Sequence, residues 1–299
     1  MSTLKHWRAR ASRTRLRAPL VHLRHLGLDL SDVFLASYPR SGNTMLRFIL
    51  AEALAGEPSS FDNIQRTIPE IGVHANARAL LPCNGRLIKT HEPYRSSYRR
   101  AIYIVRDVRD VMLSCFARES AMDVLHIRSL DDYVLPFMQG RMTRFGSWQD
   151  HVESWLNSPL AQRGDLLLLN FEDVKKDLEG TVLRCLQFLG VNIDPVLILD
   201  AVRNNSLQKM RGKEDMARLL PKSPRELGRW IGRGSVQGWR TELTIDQLKV
   251  INELAGKHLA RFGYPTGIAS EKQEQQSSSG FVSGDAFRHP VPEPKRTRL

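Results

Sequence analysis

One short segment of the chain combines the groups that bind an oxyanion. The apolar run from Val33 to Ser37 predicts a buried strand, and the sequence Tyr-Pro-Arg-Ser-Gly-Asn follows it directly. An apolar helix is predicted from Thr44 to Ala55. The first N–H groups of that helix and the arginine side chain should point at one place, where the helix dipole adds positive charge. The residues predicted to bind the anion are Arg40, Ser41, Gly42, Asn43 and Thr44.

This loop resembles a nucleotide-binding P-loop in position but not in sequence. The spacing GxxxxGK[ST] is missing, and so is the lysine of that motif. Taken alone, the segment is equally well explained as an ordinary turn that caps a helix.

Two further strand ends carry residues suited to chemistry on an anion. Lys89-Thr90-His91 closes a predicted strand, and the ordinary pKa of histidine suits it to act as a general base. Arg106 ends the next strand, and Ser114 follows it after eight residues, or about two helical turns. Both side chains can converge on one phosphate. The alternative for this segment is a ladder of Arg and Asp charges at a helix start, capped by Asp107.

The elements that must position these residues alternate between strands and helices. Such alternation indicates an α/β fold, and the short apolar strands are typical of a parallel sheet covered on both faces. We therefore predict a three-layer sandwich with a central parallel sheet, in which ligands bind beyond the carboxyl ends of the strands. The predicted strands are 33–37, 86–89, 101–105 and 166–170, and the predicted helices are 44–55, 108–118, 147–156, 174–189 and 195–204.

Composition excludes several classes of protein. With 41% hydrophobic and 25% charged residues, the 299-residue chain is typical of a globular protein. It contains no apolar run near the roughly 18 residues of a membrane span, which predicts a protein without one. Its three cysteines are too few for a disulfide scaffold and favour a reducing, cytoplasmic location. Their spacing is not that of a zinc site, and we expect no metal.

Charge and composition divide the chain into three parts. Residues 1–28 contain seven Lys and Arg and no acid, so they carry seven of the twelve net positive charges. They are predicted to be a basic tail, either a transit peptide or a solvated arm. Residues 29–268 form the predicted domain, and its mild positive charge gives no reason to expect nucleic acid as a partner. Residues 269–299 are rich in Ser, Gln and Pro and are predicted to be a disordered tail.

Six segments in this order resemble motifs of the sulfotransferases that use 3′-phosphoadenosine 5′-phosphosulfate (PAPS). Residues 38–44 resemble the loop that binds the 5′-phosphosulfate, and residues 106–114 resemble the 3′-phosphate motif. Residues 89–91 resemble the segment that carries the catalytic histidine of the cytosolic branch. Residues 146–155, 170–173 and 233–240 resemble a helix, a Tyr-Glu-Asp segment and a late glycine-rich loop of the family. The resemblance covers about residues 30–265.

The resemblance implies an enzyme of the EC 2.8.2 type that transfers a sulfuryl group from PAPS to a hydroxyl or an amine. It implies that His91 is the general base and that Arg40 and Lys89 offset negative charge near the sulfuryl group. The nucleotide ligands it implies, besides the residues of the first loop, are Arg106, Ser114, Phe171, Arg233 and Gly234. The acceptor should be a small molecule, a glycan or a lipid, and a homodimer is open because the family's dimer segment falls at 240–249.

Several positions depart from the pattern of the cytosolic branch. Met45 stands where a tryptophan stacks on the adenine, and Phe171 replaces a tyrosine. Gly232 stands where the late loop has a basic residue, and Lys249 replaces a glutamate of the dimer segment. Glu92, next to His91, is a second candidate for the base because other branches use a glutamate.

Two other functions stay open at this point. A small-molecule kinase with a related phosphate loop would need a magnesium site, for which Asp107 and Glu172 are the candidate acids. A protein that binds nucleic acid or an acidic surface through its basic N-terminus is less well supported, because it leaves the three anion-binding loops unexplained.

Overall fold

A computed structural model of the chain describes residues 17–121, 129–218, 220, 229–232 and 234–267. Within it, four strands form one parallel sheet in the order β2-β1-β3-β4. The strands are β1 Val33–Ser37, β2 Leu87–Thr90, β3 Arg100–Val105 and β4 Leu166–Asn170. The predicted central parallel sheet is confirmed.

The register of the sheet brings the carboxyl ends of the strands level with one another. Thr90 of β2 pairs with Ala36 of β1, and Ser37 pairs with Ile104 of β3. On the other side, Val105 pairs with Asn170 of β4. The loops that follow the four strands therefore begin along one edge, where ligands of parallel sheets bind.

Helices cover both faces of this sheet. Alternate residues of β1 divide between two cores: Phe34 and Ala36 pack on one face, and Val33 and Leu35 pack on the other. The described helices are α1 Arg17–Arg24, α2 Asn43–Ala55, α3 Ile64–Thr67, α4 Val108–Ala121, α5 Leu130–Met138, α6 Trp148–Leu156, α7 Pro159–Arg163, α8 Phe171–Lys176, α9 Leu178–Leu189, α10 Pro195–Asn204, α11 Leu207–Met216, α12 Trp239–Glu242 and α13 Ile245–Arg261.

The helices belong to one core or the other. Side chains of α4, α5, α6 and α13 fill the core on the Phe34 side, and those of α2, α8, α9 and α10 fill the core on the Leu35 side. This arrangement is the predicted three-layer sandwich. In the described part of the chain, no helix combines the length and the apolar character needed to cross a bilayer.

The helix predicted from 174 to 189 is two helices. Asp177 separates α8 from α9, and its Oδ1 accepts a hydrogen bond from the N–H of Gly180 at 2.9 Å. An aspartate that caps a helix in this way starts a new helix axis. The first of these helices, α8, begins at Phe171, the residue that directly follows β4.

The predicted basic tail contains a helix that contacts the domain. In α1, Val21 is buried, and Arg24 donates from Nε and Nη2 to the carbonyl of Ile71 at 3.2 and 2.7 Å. Nη1 of Arg24 also pairs with Oε1 of Glu92 at 3.2 Å. Residues 17–24 are thus not a free arm. The rest of that tail, 1–16, and the predicted disordered tail from 269 lie outside the described residues.

We expect Arg24→Ala to lower the free energy of unfolding by about 1–3 kcal/mol, because it leaves the Glu92 carboxylate, which is 1% exposed, without this cation. Urea unfolding measures the change. Arg78→Ala is the matched control: it breaks an ion pair with Glu57 in which both side chains are about half exposed, and it should cost less than about 0.5 kcal/mol. An equal effect of the two variants would contradict this account of Arg24.

Candidate active site

The loop between β1 and α2 turns sharply through two residues in the left-handed region. Arg40 has φ 68° and Gly42 has φ 90°. A Cβ on Gly42 would lie 2.5 Å from the ring of Phe171, so a side chain there would push α8 away from the loop. Glycine is therefore required both by the backbone conformation and by the contact with Phe171.

The start of α2 offers donors for an anion. The first N–H groups of a helix have no partner within it, and Gly42 caps α2 without a side-chain hydrogen bond. The Oγ of Ser41 is buried and has no hydrogen-bond partner among the described residues. The side chain of Asn43 points elsewhere, since its Nδ2 donates to the carbonyl of Leu35 and to Oγ of Ser37. Asn43 therefore fastens the loop to β1 and offers only its N–H.

Arg40 contacts Ser114, the residue that the sequence analysis paired with Arg106. Nε of Arg40 donates to Oγ of Ser114 at 2.9 Å, and Nη1 donates to the carbonyl of Trp230 at 2.9 Å. Burial lowers the pKa of Arg40 to about 10, so the side chain stays charged. A Cβ on Gly232 would lie 2.8 Å from Nη2 of Arg40, which explains in steric terms why a glycine suits this position of the late loop.

Arg106 links the first loop to the late loop. Its Nη1 donates to the carbonyl of Arg40 at 2.8 Å, and its Nη2 donates to the carbonyl of Ser235 at 2.7 Å. The guanidinium lies 4.5 Å over the ring of Phe171, a cation–π contact. Burial lowers the pKa of Arg106, and its Nε has no hydrogen-bond partner among the described residues. A buried cation with a spare donor suits an anionic ligand.

The late loop is fixed to α4 by a carboxylate. Asp110 accepts hydrogen bonds from the N–H groups of Gln237 and Trp239 at 2.8 and 3.1 Å. These contacts bring Gly234, with φ 63°, to the same end of the sheet as Arg106. Arg233, the remaining predicted ligand in this loop, lies outside the described residues.

His91 is held in one tautomer by the end of β1. Its Nδ1 lies 2.8 Å from the carbonyl of Ser37, which can only accept, so Nδ1 carries the proton. The lone pair therefore resides on Nε2. Burial, followed by the charge of Lys89, lowers the pKa of His91 to about 3. The imidazole is neutral at physiological pH, as a general base requires.

Lys89 is buried at 8% exposure and donates from Nζ to Oε1 of Glu70 at 3.4 Å. Burial lowers the pKa of this lysine, while the Glu70 carboxylate raises it. No motif marked Glu70 as a site residue, because Glu70 reaches Lys89 only through the packing of residues 69–71 against β2.

The other acids considered from sequence are engaged elsewhere. Glu92 is 1% exposed and pairs with Arg24 of α1. Asp107 accepts from Nε and Nη2 of Arg109, and Glu172 accepts from the hydroxyl of Tyr264 at 2.6 Å. The two candidate magnesium ligands of the kinase hypothesis thus serve as partners of an arginine and a tyrosine.

Side chains of α6 and β3 support the backbone at His91. Nε2 of His151 lies 3.0 Å from the carbonyl of His91, and its Nδ1 lies 2.9 Å from the hydroxyl of Tyr103. Nε1 of Trp155 donates to the carbonyl of Glu92 at 3.3 Å. The motif around residues 146–155 therefore positions the backbone that carries His91. The sequence contained His151 and Trp155 in this motif, but only the contacts show what they do.

The fold and this edge of the sheet define an α/β protein with a phosphate-type loop, a neutral histidine and several buried cations. The family model for the sulfotransferase domain matches residues 30–263. The chain belongs to the sulfotransferase family and is an enzyme of the EC 2.8.2 type, which transfers a sulfuryl group. The kinase and the nucleic-acid binder considered from sequence do not have this support.

Curated relatives agree with the family assignment. The chain is 28% identical over 251 residues to sulfotransferase 2A1 of Mus musculus, covering 79% of this chain and 86% of the relative. It is 29% identical over 255 residues to sulfotransferase 2A1 of Rattus norvegicus, covering 79% and 87%.

Solved structures share the fold. A retinol dehydratase in complex with retinol and PAP has a TM-score of 0.63 at 20% identity, covering 82% of this chain and 86% of that one. Mouse sulfotransferase SULT7A1 in complex with PAP has a TM-score of 0.60 at 21% identity, covering 82% and 94%.

We expect the stability of the protein to fall as the pH decreases from about 6.5 to about 4. Burial lowers the pKa of His91 to about 3 and that of His151 to about 4, whereas both are near 6.5 in the unfolded chain. The unfolded state then binds protons that the folded state does not, at about 1.4 kcal/mol per pH unit for each histidine. Above pH 6.5 these two residues contribute no pH dependence.

Urea unfolding at several pH values between 4.5 and 7.5 measures this slope. His151→Gln should reduce it by about one proton. An identical slope in wild type and His151→Gln would show that His151 is protonated in the folded protein.

Proposed function

We propose that this enzyme uses PAPS as its donor and transfers the sulfuryl group to a hydroxyl, or less favourably an amine, with His91 as the general base. The proposal is supported most directly by the hydrogen bond from Nδ1 of His91 to the carbonyl of Ser37. That contact leaves Nε2 as the proton acceptor at the end of β2, beside the phosphate-type loop that follows β1. The relatives whose structures contain PAP support the identity of the donor.

The donor would lie along the ends of β1, β3 and β4. The first N–H groups of α2, with Ser41, Gly42, Asn43 and Thr44, suit the 5′-phosphate. Arg106, Ser114 and Gly234 lie where a 3′-phosphate can be bound, and Arg233 is assigned to it by the family motif. Phe171 packs between Gly42 and Arg106 and so shapes the nucleotide site. A 3′-phosphate contact distinguishes PAPS from ATP, which has a free hydroxyl there.

The transfer itself needs positioning and charge. The acceptor oxygen attacks sulfur, the bond between sulfur and the bridging phosphate oxygen breaks, and the hydroxyl proton moves to Nε2 of His91. Arg40 offsets the charge that builds on the leaving phosphate, and Lys89 offsets charge on the sulfuryl oxygens. We propose no metal in this step, because these two cations can supply the neutralisation.

Location and assembly belong to the same proposal. All three cysteines are free thiols, with Cys115 and Cys185 buried and Cys83 exposed, which favours a cytoplasmic location. A homodimer through residues 240–249 stays a prediction. Of the three acceptor classes predicted from the sequence, a small molecule, a glycan or a lipid, the small molecule is supported by the retinol bound to the structural neighbour.

Arg106→Ala should weaken binding of PAP by about tenfold to a hundredfold, since loss of a charged hydrogen-bond partner costs about 1.5–3 kcal/mol. Isothermal titration calorimetry with PAP measures the affinity. Arg99→Ala, at an exposed arginine just before β3, is the control and should bind PAP like wild type. Unchanged affinity in Arg106→Ala would remove the 3′-phosphate assignment.

His91→Ala should lower kcat by about 10²–10⁴-fold and leave the affinity for PAP nearly unchanged, because the base contacts the acceptor. Steady-state kinetics with PAPS and a phenolic or alcoholic acceptor gives kcat, and calorimetry gives the affinity. Glu92→Gln is the comparison, and its effect on kcat should be small. If Glu92→Gln abolishes turnover while His91→Ala retains most of it, the carboxylate is the base.

A further inference from the structure

A short segment extends the sheet beyond β2. The N–H of Lys89 donates to the carbonyl of Pro69 at 2.8 Å, and the N–H of Ile71 donates to the carbonyl of Lys89 at 2.8 Å. Glu70 is therefore the parallel bridge partner of Lys89. Paired residues of neighbouring strands point to the same face of a sheet. Glu70 thus lies beside Lys89 at the sheet edge, with β2 between it and β1, the strand that leads into the loop with Arg40.

The carboxylate of Glu70 has acceptor capacity that the protein does not use. Its Oε1 accepts the hydrogen bond from Lys89 at 3.4 Å, and within the described part of the chain this is the only hydrogen bond that the carboxylate makes. The Glu70 side chain is 36% exposed, whereas that of Lys89 is 8% exposed. A carboxylate can accept at about four lone-pair sites, so a ligand at this edge can bind to it.

Nearby cations keep Glu70 ionised. Burial alone would raise the pKa of this carboxyl, but the surrounding positive charge, led by Lys89 and including Arg47, lowers it to about 2. The carboxylate is therefore a fixed negative charge that accepts hydrogen bonds at physiological pH.

The topology places Glu70 on the acceptor side of the site. The residues proposed to hold the donor follow β1, β3 and β4, whereas His91 follows β2 at the edge of the sheet. The acceptor must bring its hydroxyl to His91, and Glu70 lies on the strand extension beyond β2. Lys89, which pairs with Glu70 at 3.4 Å, stands two residues before His91, and residues two apart along a strand share a face. An acceptor whose hydroxyl reaches His91 therefore comes close to this carboxylate.

We propose that Glu70 selects acceptors that carry a second hydrogen-bond donor, a hydroxyl or an ammonium group, on the carbon next to the reacting hydroxyl. The inference rests on the proposed function, sulfuryl transfer with His91 as the base. An acceptor that is apolar at this position leaves the carboxylate desolvated without a partner, and an anionic acceptor is repelled. Polyols and amino alcohols are therefore favoured over the simple alcohols of similar size.

Three small acceptors test this selection: cyclohexanol, trans-1,2-cyclohexanediol and trans-2-aminocyclohexanol. Initial rates with saturating PAPS give kcat/KM for each. We expect wild type to prefer the diol and the amino alcohol over cyclohexanol by tenfold or more. Glu70→Leu should bring both ratios close to one, and Glu70→Asp should restore part of the preference. Glu57→Leu, which also removes an ion-paired glutamate, is the control and should keep the wild-type ratios.

The outcomes separate the inference from the function on which it rests. PAP affinity, measured by calorimetry, verifies that Glu70→Leu retains a folded nucleotide site. Equal kcat/KM for the three acceptors in wild type, or an unchanged preference in Glu70→Leu, overturns the selection by Glu70 while sulfuryl transfer stands. Loss of turnover with all three acceptors in Glu70→Leu also overturns it, since Glu70 would then serve only as counter-ion to Lys89. A wild-type chain that binds no PAP and sulfates none of the three overturns the proposed function and this inference with it.

Discussion

The site depends on Ser37, the last residue of β1, more than on any other single position. Its carbonyl accepts the hydrogen bond from Nδ1 of His91, and its Oγ accepts one from Nδ2 of Asn43 at 3.2 Å. The first contact fixes the tautomer of His91 at the end of β2. The second fastens the start of α2, where an anion can bind. One residue thus sets the distance between the proton acceptor and the anion site, and the parallel register of β1 and β2 sets its position.

The cations around Ser37 have mainly neutral groups as hydrogen-bond acceptors. Arg106 is buried and Arg40 is partly buried, and the hydrogen bonds they donate end on a hydroxyl and on backbone carbonyls. The nearest carboxylate to Arg106 is that of Asp110, at 3.9 Å, and Asp110 already accepts two backbone N–H groups. Burying charge in this way costs stability, because carbonyl dipoles offset a desolvated cation less well than an anion does. The folded protein therefore contains positive charge that is incompletely compensated. An anionic donor that neutralises this charge gains binding free energy from it.

The sequence predicted the sheet well because each strand is a continuous apolar run that ends in a functional residue. It also predicted that the loops after β1 and β3 would lie at one edge of the sheet, where Arg106 hydrogen-bonds the carbonyl of Arg40 and Arg40 contacts Ser114. It missed what depends on contacts distant in sequence. Glu70 enters the site only through the bridge to Lys89, and α1 joins the domain only through Arg24 and its neighbours. The break between α8 and α9 depends on local sequence, but a single aspartate cap is a weak signal within an apolar helical pattern.

In the proposed reaction, the pKa of His91 makes the rate of proton transfer depend on whether the donor is bound. Burial and the charge of Lys89 lower this pKa to about 3, and a base so weak removes a hydroxyl proton slowly. In the proposed reaction, the sulfuryl and phosphate groups of PAPS bring negative charge next to Lys89 and Arg40. Offsetting the charge of Lys89 weakens one of the causes that lower the pKa of His91, so the imidazole becomes a stronger base once the donor is bound. Glu70 acts on the same lysine from the other side, since its carboxylate raises the pKa of both Lys89 and His91. The carboxylate of Glu70 and the negative charge of the donor thus both act on the pKa of His91 beside the buried ammonium group of Lys89.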